Sequence, residues 1–184
     1  MKKSVLLFFV LFSLVPAFGQ SDSTYPALML DRIFAKDVFS LPATDGWNNI
    51  QSSLDVFYYI DRAFRDYKLD MPSQNTWPTE FQVYETQKGF DGTFQDFFGS
   101  LDSNLDHLIL TQPQIVEICR RYPKLFLLED LPAFILTKAQ KQYYVIEVER
   151  NPSGFWTYVR KLADEQVWMG AMNRRIIVPS PAAP

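Results

Sequence analysis

Gln142-Tyr143-Tyr144-Val145-Ile146-Glu147-Val148-Glu149-Arg150, Asn151-Pro152-Ser153-Gly154 and Phe155-Trp156-Thr157-Tyr158-Val159-Arg160-Lys161-Leu162 read as strand, turn, strand. Both flanks alternate at period two and are rich in aromatic and β-branched residues, the pattern of a half-buried strand. The turn between them has a physical basis: proline presets one backbone angle, glycine accepts a positive one, and asparagine can bond its own backbone. A four-residue loop sets Arg150 opposite Phe155, Glu149 opposite Trp156, Glu147 opposite Tyr158 and Val145 opposite Arg160. Alternation then turns Tyr144, Ile146, Val148, Thr157 and Val159 toward a core. The other side carries Tyr143, Glu147, Glu149, Trp156, Tyr158 and Arg160, our candidate binding residues. Aromatic rings beside charged groups combine contact area with directional bonds. The same pairs also stabilise an ordinary exposed sheet face.

Working outward, residues 133–138, 167–171 and 174–178 also alternate, which predicts about five C-terminal strands. Their connections are too short for parallel crossovers, so the expectation is an antiparallel meander. The preceding chain carries helical periods. Trp47, Ile50, Leu54, Phe57, Ile60 or Asp61, Phe64 and Tyr67 recur at threes and fours and predict a helix over 46–68. A shorter helix is expected over 27–37, while 71–92 fits either element. Phe94, Phe97, Phe98, Leu101 and Leu105 return to helical spacing. Thr111-Gln112-Pro113-Gln114 is a capping box opening a helix that stops at Pro123.

The fold expectation is therefore α+β, with N-terminal helices packed on one face of a C-terminal antiparallel β-meander of about five strands. Charge divides the chain similarly: residues 20–111 hold 14 acidic and 6 basic side chains, and residues 112–184 hold 7 and 10. Residues 1–19 are expected to be a signal peptide, and 20–184 a single α+β domain with an acidic helical part (20–122) and an antiparallel sheet part (123–184). Lys2-Lys3, an apolar run over 4–15, Pro16 and Ala17-Phe18-Gly19 form the signal pattern. The run is shorter than the roughly 20 residues a bilayer requires, and the lysine start fits a bacterial exporter. The expected product is exported, periplasmic or extracellular, and not stably inserted in a membrane after cleavage.

With 47% apolar and 21% charged residues, the chain is neither disordered nor fibrous. One cysteine, Cys119, excludes an intrachain disulfide and is expected to be buried beside Ile115 on a helix face. Asp102-Ser103-Asn104-Leu105-Asp106 opens like a calcium loop but has His107 and Pro113 where glycine and glutamate are needed. No zinc spacing, nucleophile elbow or phosphate loop occurs, so no metal, catalytic residue or cofactor is assigned. His107 reads as a hydrogen-bonded structural imidazole. An acidic balance without a basic run argues against nucleic acid.

The leading functional expectation is an exported bacterial, non-enzymatic binding protein whose partner is another protein. Two other readings fit the same residues. One is a binder of a small apolar or sugar ligand, in an aromatic-lined pocket between sheet and helices. The other is a small carboxylate-dependent hydrolase, which needs only two suitably spaced carboxyl groups.

Overall fold

The structure is a computed structural model that describes residues 30–86, 91–126, 131–165, 167 and 173–181. Eight strands carry most of it: β1 (Leu30–Ile33), β2 (Phe39–Leu41), β3 (Phe57–Ile60), β4 (Thr79–Thr86), β5 (Ala133–Ala139), β6 (Gln142–Asn151), β7 (Gly154–Lys161) and β8 (Arg175–Pro179). Three short helices accompany them, α1 (Ala63–Asp66), α2 (Phe94–Leu101) and α3 (Gln112–Arg121), with 3₁₀ turns at Leu105–Leu108 and Pro123–Phe126.

The β6–β7 hairpin forms in the expected register, with Glu147 opposite Tyr158 and Glu149 opposite Trp156. Its ladder runs one pair further, to Asn151 opposite Gly154, leaving Pro152 and Ser153 as the loop. Gly154 has φ +138° and lies under Tyr58, where an added Cβ would stand 3.1 Å from the Tyr58 Cβ. β5 pairs antiparallel with β6 as the alternation demands.

Beyond this three-strand unit the expected architecture is wrong. All eight strands join one mixed sheet in the order β1-β4-β8-β5-β6-β7-β3, with β2 also paired to β4. Two pairings are parallel, β8 with β5 and β3 with β7. The N-terminal half thus contributes strands to the sheet rather than a helical layer over it. β8 returns beside β5 through residues 162–174, a connection long enough for a parallel crossover. The expected strand over 167–171 lies outside the described residues except for Val167, as does the signal segment 1–19. The expected helix over 27–37 is replaced, where described, by β1 and the turn after it.

The helix expected over 46–68 fails for a local reason. Gly46 takes φ +80°, a left-handed conformation that starts no helix, and an added Cβ would meet the Ser73 carbonyl at 2.1 Å. Side chains then take the bonds a helix would make. Asp45 accepts from Trp47 N–H, Asn49 from Ser52 N–H, and the Ser53 hydroxyl donates to the Asn49 carbonyl. Buried Gln112, at the start of α3, accepts from Ile50 N–H and donates to the Leu69 carbonyl. Trp47 and Leu54, placed on the apolar stripe by spacing, are 70% and 75% exposed. Phe57-Tyr58-Tyr59-Ile60, a run of β-formers, becomes β3.

The two capped helices form where expected. Thr93 and Asp96 exchange bonds at the start of α2, and Gln114 accepts from Thr111 N–H (2.8 Å) at α3. They lie over opposite faces of the sheet, not one. Ile115, Ile118 and Cys119 of α3 join a core with Phe64, Phe126, Ile135, Ile146, Val148 and Ile177. Phe94, Phe97 and Phe98 of α2 pack with Phe134, Leu136, Val145, Ile176 and Val178 on the other face. Each fully buried side chain of this size contributes about 1.5–3 kcal/mol. Among the described residues no helix is long and apolar enough to cross a membrane.

Cys119 is buried, and desolvation pushes its thiol far above the ordinary range. A thiol reagent should label the native protein slowly and the denatured protein fully. Cys119→Ser should cost about 1–3 kcal/mol in a denaturant titration, because a buried hydroxyl lacks a partner there.

Candidate functional site

The face covered by α2 changes character along its rows. Ile176 pairs with Phe134, Phe134 with Glu147, and Glu147 with Tyr158, so one row passes from hydrocarbon to carboxylate to phenol. Phe94 covers Phe134 edge to face at 5.0 Å. Past that contact the sheet is less covered, and Glu149, Trp156, Tyr158 and Arg160 are half-buried.

Beside them runs a ridge of four rings. β3 lies along the outer side of β7, with Tyr59 level with Trp156 and the register shifted between Phe57 and Tyr59. That irregularity lets two successive tyrosines reach one indole. Tyr59 lies 5.1 Å from Trp156 and 5.4 Å from Tyr158, and Tyr58 stacks on Trp156 at 6.2 Å and 21°. The indole N–H is buried without an acceptor among the described residues, so the ring is held by its faces. Tyr58 and Tyr59 remain 67% and 40% exposed.

Glu147 is the buried member, 7% exposed. The Arg160 Nε stands 3.8 Å from its carboxylate. Burial, and then the neighbouring Glu149, push the Glu147 carboxyl above the ordinary glutamate range, while Arg160 and Arg174 hold it partly back. The Tyr158 hydroxyl is pushed up as well, by desolvation first and then by Glu149, Tyr59, Glu147 and Asp61.

Five of the six sequence candidates are therefore brought together. Tyr143 is not among them. Its hydroxyl donates to Asp106 (2.8 Å), and Lys138 pairs with the same carboxylate while lying 4.8 Å over the Tyr143 ring. Buried Val145 separates it from Glu147 along β6. Sequence reasoning missed Tyr58, Tyr59, Asp61 and Arg174. The signal for the tyrosines was the β-forming run 57–60 inside a helical spacing.

His107, Asp102 and Asp106 are tied into structure. His107 bonds Asp102 through Nδ1 and Asn104 through Nε2, both at 2.9 Å. An amide donating to Nε2 makes Nδ1 the protonated nitrogen. The Asn104 backbone N–H, with His107, holds Asp102 below the ordinary carboxylate range, and Lys138 with Tyr143 does so for Asp106. Grooves also lie away from the ridge. One of about 770 Å³ is lined by Phe34, Phe39, Tyr122 and Leu125, and another of about 520 Å³ by Tyr84, Leu101, His107 and Ser180.

The Glu147 shift carries a pH signature. A native carboxyl that holds its proton more tightly than the unfolded one contributes stability at low pH that is lost as pH rises. The loss runs from the ordinary glutamate value through the raised native one. Unfolding free energies of wild type and Glu147→Gln should diverge across that window in favour of the glutamine variant. A difference that stays flat, or that grows as pH falls, contradicts the assignment.

No known protein family, curated protein or solved structure matches the chain.

Proposed function

We propose that this chain is an exported, non-enzymatic binding protein that holds a protein partner on the Tyr58–Tyr59–Trp156–Tyr158 ridge. The observation that supports the reading is the ridge itself: four contiguous rings on the edge strand β3 and its neighbour β7, partly exposed and flanked by charged groups. Single exposed aromatics are ordinary, whereas a contiguous patch rimmed by polar groups marks interaction surfaces. Tyrosine, tryptophan and arginine are the residues that most often dominate binding energy when a partner excludes water from them. β3 ends the sheet order, so its outer edge also offers backbone groups to an extended partner segment. Export belongs to the same reading and rests on the pattern over residues 1–19.

A protein retained by the wild-type chain from the exporting host should, once purified, bind Trp156→Ala and Tyr158→Ala about 30-fold more weakly, about 2 kcal/mol. Stability of the two variants should fall by only about 0.2–1 kcal/mol for each cross-strand pair lost. Equal affinity of wild type and both variants for every retained protein contradicts the proposal, as does a loss explained by unfolding.

A further inference from the structure

We infer that the ridge seats a cationic side chain, so that the partner meets it with a lysine or arginine from a basic segment. The inference rests on the binding reading above and adds the chemistry of the occupant.

Three carboxylates act on the Tyr158 hydroxyl. Glu147 and Glu149 lie across the ladder from Tyr158 and Trp156, and Asp61 follows directly on β3. Two guanidinium groups act on the first of these carboxylates. Arg160 lies against Glu147, and Arg174 also acts on Glu147. Asp61 spends one oxygen on Ala63 N–H (3.0 Å) at α1. Glu149 accepts no hydrogen bond and forms no ion pair among the described residues. Among the described residues Glu149, beside Trp156, has no cation paired with it.

The rings select the same sign of charge. Aromatic faces carry the negative lobe of a quadrupole, so a cation is drawn to them and an anion is repelled. The stem of a lysine or arginine can lie along Tyr59 and Trp156 while its charged head reaches Glu149. A carboxylate in that place would meet like charge at Glu149. An uncharged apolar group would cover the rings but leave Glu149 unpaired and partly desolvated, which is unfavourable. Charge complementarity therefore singles out a basic partner segment.

The test uses a blocked tetra-arginine peptide as probe, a blocked tetra-glutamate peptide as control, and the Trp156 indole N–H resonance as readout. Tetra-arginine should shift that resonance saturably, with affinity falling as salt is raised. Glu149→Gln should weaken binding about tenfold or more, whereas Glu80→Gln on distant β4 should leave it unchanged. Tetra-glutamate should produce no saturable shift. No saturable shift with tetra-arginine, or equal weakening by Glu149→Gln and Glu80→Gln, overturns the inference, the latter because it would report net charge alone. The binding reading fails separately. A natural partner that is lost on Trp156→Ala but kept at wild-type affinity by Glu149→Gln leaves the ridge standing and removes the cation site.

Discussion

The pairing of β6 with β7 is the constraint on which the rest depends. Side chains alternate along a strand, so slipping this ladder by one residue would exchange every inward group for an outward one. With Asn151 opposite Gly154, Ile146, Val148 and Val159 enter the core under α3, and Glu147, Glu149, Trp156 and Tyr158 share the other face. The same register leaves the outer side of β7 open. β3 fills it in parallel, and only that docking brings Tyr58 and Tyr59 to Trp156. Gly154 contributes twice, through a backbone angle that other residues rarely adopt and by leaving room for Tyr58.

The two faces of the sheet are buried unequally, and that inequality makes the site. One face is sealed by α1, α3 and the 3₁₀ turn at Pro123–Phe126. The other is sealed by α2 only as far as Phe134. At the next strand the row meets Glu147, a carboxylate in a position where an apolar side chain would continue the core. A buried carboxylate is a weak contributor to stability even with guanidinium groups beside it. Its consequence here is positional: it ends the apolar cluster and begins a polar, aromatic surface. The fold tolerates this cost because the two apolar clusters on either side are extensive.

What the sequence made legible was whatever short-range chemistry decides. The β5–β6–β7 unit followed from alternation and from the Asn-Pro-Ser-Gly turn, α2 from the helical spacing of Phe94, Phe97, Phe98 and Leu101, and α3 from the Thr111–Gln114 capping box. All six candidate residues belong to that unit, and five of them lie together on it. Failures came where distant contacts decide. The spacing over 46–68 is helical, but Gly46, Asn49, Ser52 and Ser53 turn the backbone locally, and Gln112 stabilises the result from 62 residues away. The parallel pairs β3–β7 and β5–β8 join segments with no short connection, so no turn signal announces them. The tyrosine half of the ridge was hidden by the same misreading, since residues assigned to a helix stripe cannot be placed beside a strand. Tyr143 was included because periodicity shows which face a residue takes, not which neighbour on that face claims its hydroxyl.

The ridge therefore depends on β3 lying parallel to β7, and nuclear Overhauser contacts test this most directly. Backbone contacts should link Phe57, Tyr59 and Ile60 with Phe155, Trp156 and Thr157 in a parallel pattern, together with ring contacts from Tyr58 and Tyr59 to the Trp156 indole. Sequential helical contacts running through residues 46–68, with none from those tyrosines to Trp156, would contradict it. The ridge and the cation site built on it would then fall together.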